Sequence, residues 1–149
     1  MAGAADDLKF CLDRNLGASI LEVFRITRAD PVGRITSLEE LGYPAEAADE
    51  DWMISLGQAG NYAVVTRDGN ILNAAVRRRA WRQSRLTLLL FDKKWGSLPL
   101  REIARRMLMW WPSLVQHTSA VQRGTAWMID SRVPEMLPSG FRLVNAPDD

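Results

Sequence analysis

Asn61–Gly69 reads NYAVVTRDG. Tyr62, Val64, Val65 and Thr66 are aromatic or β-branched, the residue types that fit an extended, packed backbone. Apolar residues follow one another here without alternating with polar ones, as in a strand buried on both faces. Asp68 and Gly69 then supply a turn. A doubly buried strand belongs to a parallel sheet covered by helices, and its polar terminus, Thr66-Arg67-Asp68, is delivered to one edge of that sheet.

The flanking sequence repeats this logic. Upstream, Asp49–Gly60 reads as a helix. Asp49, Glu50 and Asp51 place negative charge in its first turn, where the helix dipole favours it. Trp52, Met53, Leu56 and Ala59 form its apolar stripe, and Gly60 ends it. Further upstream, Leu8–Asp13 (LKFCLD) is a short apolar strand closed by a carboxylate. A helix over Asn15–Arg28 follows, with Asn15 as its candidate cap. Gly33–Ser37 is a candidate short strand, and Glu39–Ala48, with Gly42 and Pro44, reads as irregular.

Downstream, Ile71–Gln83 reads as a helix carrying Arg77, Arg78, Arg79 and Arg82. Arg85–Phe91 is another buried strand, ending at Asp92. Pro99–Val115 is a strongly amphipathic helix in which Pro99 suits the first turn and Pro112 is expected to kink or break it. Gly124–Asp130 is a candidate fifth strand. The expectation is one domain over residues 1–130 and a tail over 131–149, loosely docked or adding a small strand at Phe141–Val144. Strands alternating with helices argue a parallel α/β sheet of four to five strands with helices on both faces.

Composition sets the outer bounds. The chain has 149 residues, 47% hydrophobic and 25% charged, which excludes a disordered or low-complexity polymer. One cysteine, Cys11, and one histidine, His117, exclude an internal disulfide and remove most support for Cys/His metal clusters or a Ser-His-Asp triad. Apolar runs fall far short of the ~20 residues of a membrane span. The opening MAGAADDLKF lacks a basic segment followed by an apolar one, so a cytoplasmic location is expected.

The net charge of +1 conceals a division. Residues 1–71 carry net −6, residues 72–106 net +8, and residues 107–149 net −1. The basic block holds Arg77, Arg78, Arg79, Arg82 and Arg85, then Lys93, Lys94, Arg101, Arg105 and Arg106, with only Asp92 and Glu102 as acids. Arginine forks suit phosphate, so this block reads as a polyanion surface. A solvated helix face, or a dock for an acidic partner, is the alternative.

Sites in such sheets form beyond the C-terminal strand ends. Asp13, Asp68 and the helix-heading Asp49 are therefore candidates to converge at one edge. Carboxylates held together repel, and a hard cation such as Mg²⁺ or Mn²⁺ relieves that repulsion. Each also has an ordinary use: Asp13 and Asp49 as helix caps, Asp68 as a turn former. Trp81, Trp95, Trp110 and Trp111 read mainly as core, with one of the last two available at a dimer or partner contact.

FCLDRNLG at 10–17, DEDW at 49–52 and YAVVTRDGNI at 62–71, in that order, resemble the PIN-like nuclease group, most closely its compact branch among VapC-type toxins. The resemblance implies a three-layer α/β/α sandwich and Mg²⁺- or Mn²⁺-dependent cleavage of RNA by the toxin of a type II toxin–antitoxin pair. It implies an antitoxin partner, with a homodimer also expected. Asp13, Asp49 and Asp68 match the catalytic and metal-holding aspartates, with Thr66, Asn70 and Asp51 in support. Arg14, Arg67, Arg77, Arg78, Arg79 and Arg82 are the nucleic-acid-binding candidates. The sequence departs from the pattern at Asn70, where many PIN-like sequences carry an acid, and it has no clear counterpart of a further acid on an inserted helix. Asp51, Glu46 or Asp92 could compensate, or Asn70 could ligate through its carbonyl. Asn70 favours the alternative: a degenerate domain that binds RNA or protein without cutting. A receiver-type phosphoacceptor domain is disfavoured because Asp6 and Asp7 precede the first strand.

Overall fold

In the computed structural model, which describes residues 7–14, 16–132, 134 and 140–147, strands and helices alternate along the chain. They are β1 (Lys9–Leu12), α1 (Gly17–Ile26), β2 (Ile35–Ser37), α2 (Asp49–Ala59), β3 (Tyr62–Thr66), α3 (Ala75–Ser84), β4 (Thr87–Phe91), α4 (Leu100–Ala120), β5 (Ala126–Ile129) and β6 (Phe141–Leu143), with a 3-10 turn at Lys93–Ser97. The sheet order is β2-β1-β3-β4-β5-β6. All pairs are parallel except β5 with β6. The sheet thus has six strands rather than four or five, because both short edge strands find partners.

Alternate side chains along the strands point to opposite faces and build two cores. Phe10, Leu12, Ala63, Val65, Leu89, Phe91 and Ile129 pack against α1 and α4. Cys11, Val64, Leu88, Leu90 and Ala126 pack against α2 and α3. The result is a helix–sheet–helix sandwich. The β3 pattern explains itself: every residue from Tyr62 to Thr66 is buried because helices cover both faces.

Several boundaries differ from the sequence reading. The candidate cap Asn15 lies outside the described residues. Helix α3 begins at Ala75, not Ile71, because Asp68 diverts the chain into tight turns. The Asn70 and Ile71 N–H groups donate to the Asp68 side chain and carbonyl, and the Asn73 N–H donates to the Asn70 carbonyl. Pro99 is the residue flanking α4 rather than part of its first turn. Helix α4 runs unbroken through Pro112. The ring is on the exposed side, while Trp110, Trp111 and Leu114 are buried, and that packing outweighs the one backbone bond proline forfeits.

Both Trp110 and Trp111 are buried, so neither offers the exposed contact expected of one of them. Trp111 meets Phe10 and Phe24 edge-on, while Trp110 packs edge-on against Phe141 and donates to the Arg132 carbonyl. Within the region expected to be a loosely docked tail or a small extra strand, Phe141–Leu143 forms β6. After β6, Val144 N–H donates to the Ala126 carbonyl and the Arg82 guanidinium reaches the carbonyls of Ala146 and Pro147.

His117 lies inside α4, not beyond a helix break. Its ring stacks on Phe141 at 3.9 Å and meets Trp127 edge-on at 4.5 Å. Nε2 is buried without a hydrogen-bond partner among the described residues, and burial holds the imidazole below its ordinary pKa. Folding therefore favours the neutral ring. His117 should add stability above its unfolded value of about 6.5 and lose it as pH falls from there through the folded value. Thermal melts between pH 7.5 and 5 should show a decline that His117→Phe flattens; an identical decline in that variant would assign it to other groups.

Candidate active site

Five strands run parallel, so their C-terminal ends share one edge, and helices that return between them start there. The connection after β1 turns toward β2 and the connection after β3 turns toward β4, so the chain diverges at the edge between β1 and β3, the usual position of sites in open α/β sheets. Asp13 follows β1 directly, Thr66 ends β3, and Asp49 heads α2.

Asp13 is only 5% exposed. Its Oδ1 accepts the Arg14 N–H at 2.6 Å, and its Oδ2 accepts the Thr66 hydroxyl at 2.7 Å. The same Thr66 oxygen accepts the Asp68 N–H at 2.9 Å. Asp68 Oδ1 in turn accepts the Asn70 N–H at 2.9 Å. A continuous hydrogen-bonded chain thus runs from the first strand, across the neighbouring strand, into the loop beyond it. Asp13 donates its own N–H to the Val65 carbonyl, which fixes the register of this crossing.

The Asp13 carboxyl is held above its ordinary pKa. Burial is the main cause, and the negative charge of Asp49 adds to it. The Thr66 hydroxyl, the Arg14 N–H and the Arg14 guanidinium oppose the rise. Asp49 is not a backbone cap; Ala48 holds that position, and Asp49 Oδ1 accepts Trp52 Nε1 at 2.9 Å. Arg14 Nη2 donates to the Ala47 carbonyl at 2.7 Å, tying the turn after β1 to the start of α2. These bonds hold Asp13 and Asp49 within each other's field.

Asp68 does not join them directly. The turn spends its carboxylate on the Asn70 N–H, and no three Asp, Glu, His or Cys side chains among the described residues gather as a metal-holding group. Asn70 Oδ1 accepts from Asn73 Nδ2 at 3.1 Å, so that oxygen is already engaged. Glu46 and Asp51 are exposed. Asp92 caps the 3-10 turn by accepting the Lys94 N–H.

A family model described as a PIN like domain matches residues 8–93, more than half of the chain. The chain belongs to the PIN-like domain family. No curated protein and no solved structure matches it. PIN-like domains are typically nucleases and generally use divalent metal ions. In this PIN-like domain the carboxylates of Asp13 and Asp49 are the hard oxygen donors that a divalent cation prefers, while the Thr66 hydroxyl is engaged by Asp13 and the Asp68 N–H. Asp68 is one hydrogen-bonded step removed.

The basic helix of the PIN-like domain is partly committed to its own backbone. Arg77 donates to the carbonyls of Ile71 and Asn70, Arg78 to those of Leu72 and Asn73, and Arg82 to those of Ala146 and Pro147. Arg79 is exposed and Arg67 half-buried. Sequence reasoning missed these structural uses, as it missed the pairing of Trp52 with Asp49. The i, i+3 spacing of the latter pair was the available signal. No helix among the described residues is long and apolar enough to cross a membrane.

Proposed function

We propose that the protein is a metal-dependent ribonuclease, the toxin of a type II toxin–antitoxin pair. The observation that carries this reading is the bonded chain Asp13–Thr66–Asp68 beside Asp49 at the sheet edge of a PIN-like domain. Asp13 and Asp49 hold Mg²⁺ or Mn²⁺, and Asp68 completes the acidic set from the adjoining loop. Such an ion supplies electrophilic stabilisation of a phosphodiester. Thr66 and the Arg14 N–H orient the Asp13 carboxylate and keep its lone pairs aimed. Trp52 fixes the Asp49 rotamer. The basic helix α3, with Arg79 exposed on it, and the half-buried Arg67 before it hold flanking phosphates. The antitoxin would present an acidic segment to that same surface, and the toxin would act as a homodimer or a single chain bound to it.

The second reading, an RNA- or protein-binding domain without cleavage, draws on Asn70. Its side chain is engaged with Asn73, and it replaces an acid. One assay separates the two. Purified protein is incubated with structured and unstructured RNAs in Mn²⁺ or Mg²⁺, with and without EDTA, beside Asp13→Asn and Asp68→Asn. Metal-dependent cutting that both variants lose is expected. RNA that is bound yet uncut with either ion establishes the second reading, and equal cutting by the variants marks a contaminant.

A further inference from the structure

Residues 70–73 present four consecutive backbone carbonyls that no regular helix takes up, because α3 starts only at Ala75. Two arginines one turn later take all four. Arg77 Nε donates to the Ile71 carbonyl at 2.7 Å and its Nη2 to the Asn70 carbonyl at 3.2 Å. Arg78 Nη1 donates to the carbonyls of Leu72 and Asn73, both at 3.0 Å. From the other side, Ile71 and Leu72 are buried in the core beneath α2 and α3. The segment is gripped from both directions. Its first residue, Asn70, is the one whose N–H holds the Asp68 carboxylate.

We propose that Arg77 is a positioning residue for the reaction. Its fork pins the turn after β3, and through Asn70 it fixes Asp68 against Thr66 and Asp13. This rests on the nuclease reading for its catalytic consequence, but the grip on the turn stands on its own. The chemistry selects arginine. A planar guanidinium offers two N–H vectors to carbonyls on consecutive residues, whereas a lysine ammonium concentrates its donors at a single point. The sequence position of Arg77 in a basic run invites a phosphate-contact role, and the structure assigns its Nε and Nη2 elsewhere. Cleavage depends on carboxylate placement within about half an ångström, so loosening the turn lowers turnover more than it weakens binding.

The test compares Arg77→Lys, Arg77→Met and Arg79→Met with the unmodified chain. Amide hydrogen exchange is read at Gly69, Asn70, Ile71 and Asn73, and kcat and KM are measured on one RNA. Both Arg77 variants should exchange at these amides at least about tenfold faster, with global melting cooperative and protection in β3 and β4 retained. Both should lose at least about tenfold in kcat, and in Arg77→Lys, which keeps the charge, KM changes little. Arg79→Met should raise KM and leave exchange in the turn alone. Unchanged exchange in the Arg77 variants overturns the proposal. So does an Arg77→Lys variant with full kcat beside an Arg77→Met variant impaired only in KM, which would make Arg77 a phosphate contact. If Arg77→Met fails to fold, Arg77→Lys alone decides. An unmodified chain that cuts no RNA defeats the nuclease reading, and the exchange data still decide whether Arg77 holds the turn.

Discussion

Asp13→Asn is expected to lower RNA cleavage by at least about a hundredfold and, in the metal-free protein, to raise stability. The two effects share one cause. Asp13 is buried, lies in the field of Asp49, and is held above its ordinary pKa, so the folded state disfavours its charge. Asparagine keeps the shape. Its oxygen can still accept one of the two bonds the carboxylate accepts, from the Thr66 hydroxyl or the Arg14 N–H. What disappears is the negative charge that would attract a cation. The gain should be about 1 kcal/mol, the usual size when a strained functional group is relieved. The sign follows from linkage. A carboxyl whose folded pKa is raised stabilises the fold fully below the unfolded value of about 3.9, and that contribution is lost as pH rises through the folded pKa. The advantage of asparagine should therefore be present near neutral pH and fade on acidification. Urea titrations at pH 7 and pH 4, with EDTA throughout, measure it. A variant less stable than the unmodified chain at pH 7 would contradict the assigned burial cost.

Gly57→Ala should cost about 3 kcal/mol and lower Tm by roughly 10 °C. Helices α2 and α3 cross at Gly57, where a Cβ would fall within 2.8 Å of both Ser84 Cα and Cβ and closer still to the Ser84 carbonyl oxygen. Backbone cannot step aside as a flexible side chain can. Ser84 is also fixed: its hydroxyl donates to the Trp81 carbonyl and accepts the Leu86 N–H. The helices must part, and α2 is the element that carries Asp49. The substitution should therefore also impair cleavage, despite its distance along the helix from the site. A Tm within about 2 °C of the unmodified chain would show that α2 and α3 can separate at little cost.

The order of strands and helices was legible because burial writes itself into composition. Tyr62–Thr66 and Thr87–Phe91 are buried at every position, and their apolar runs say so. Boundaries were legible only where local chemistry agreed with packing. The start of α3 was obscured because Ile71 and Leu72 look like helix-face residues, although they plug the core from a turn. Pro112 misled because its effect on α4 depends on the burial of Trp110, Trp111 and Leu114. At the candidate site, Asp13, Thr66 and Asp68 could be read from their places at strand ends, and the structure links them through hydrogen bonds. Their exact grouping could not be read, because it turns on where Asp68 aims its carboxylate. Nor could the division of labour among the arginines: a guanidinium bonded to a carbonyl and one facing solvent have the same sequence signature.

The carbonyl partners of Arg77 have an electrostatic consequence. A carbonyl satisfies donors without neutralising charge. The Arg77 guanidinium is therefore anchored in place and still contributes its positive field. Arg105 and Arg106 instead share the single negative charge of Glu102, which offsets part of theirs. Fixed charge acts over roughly the 8–10 Å reach of physiological screening, before any contact forms. It governs how fast a polyanion arrives and in which orientation, while departure is governed by side chains that touch it. On the nuclease reading, the anchored charge of Arg77 would speed the encounter with RNA, and the exposed Arg79 would set the residence time.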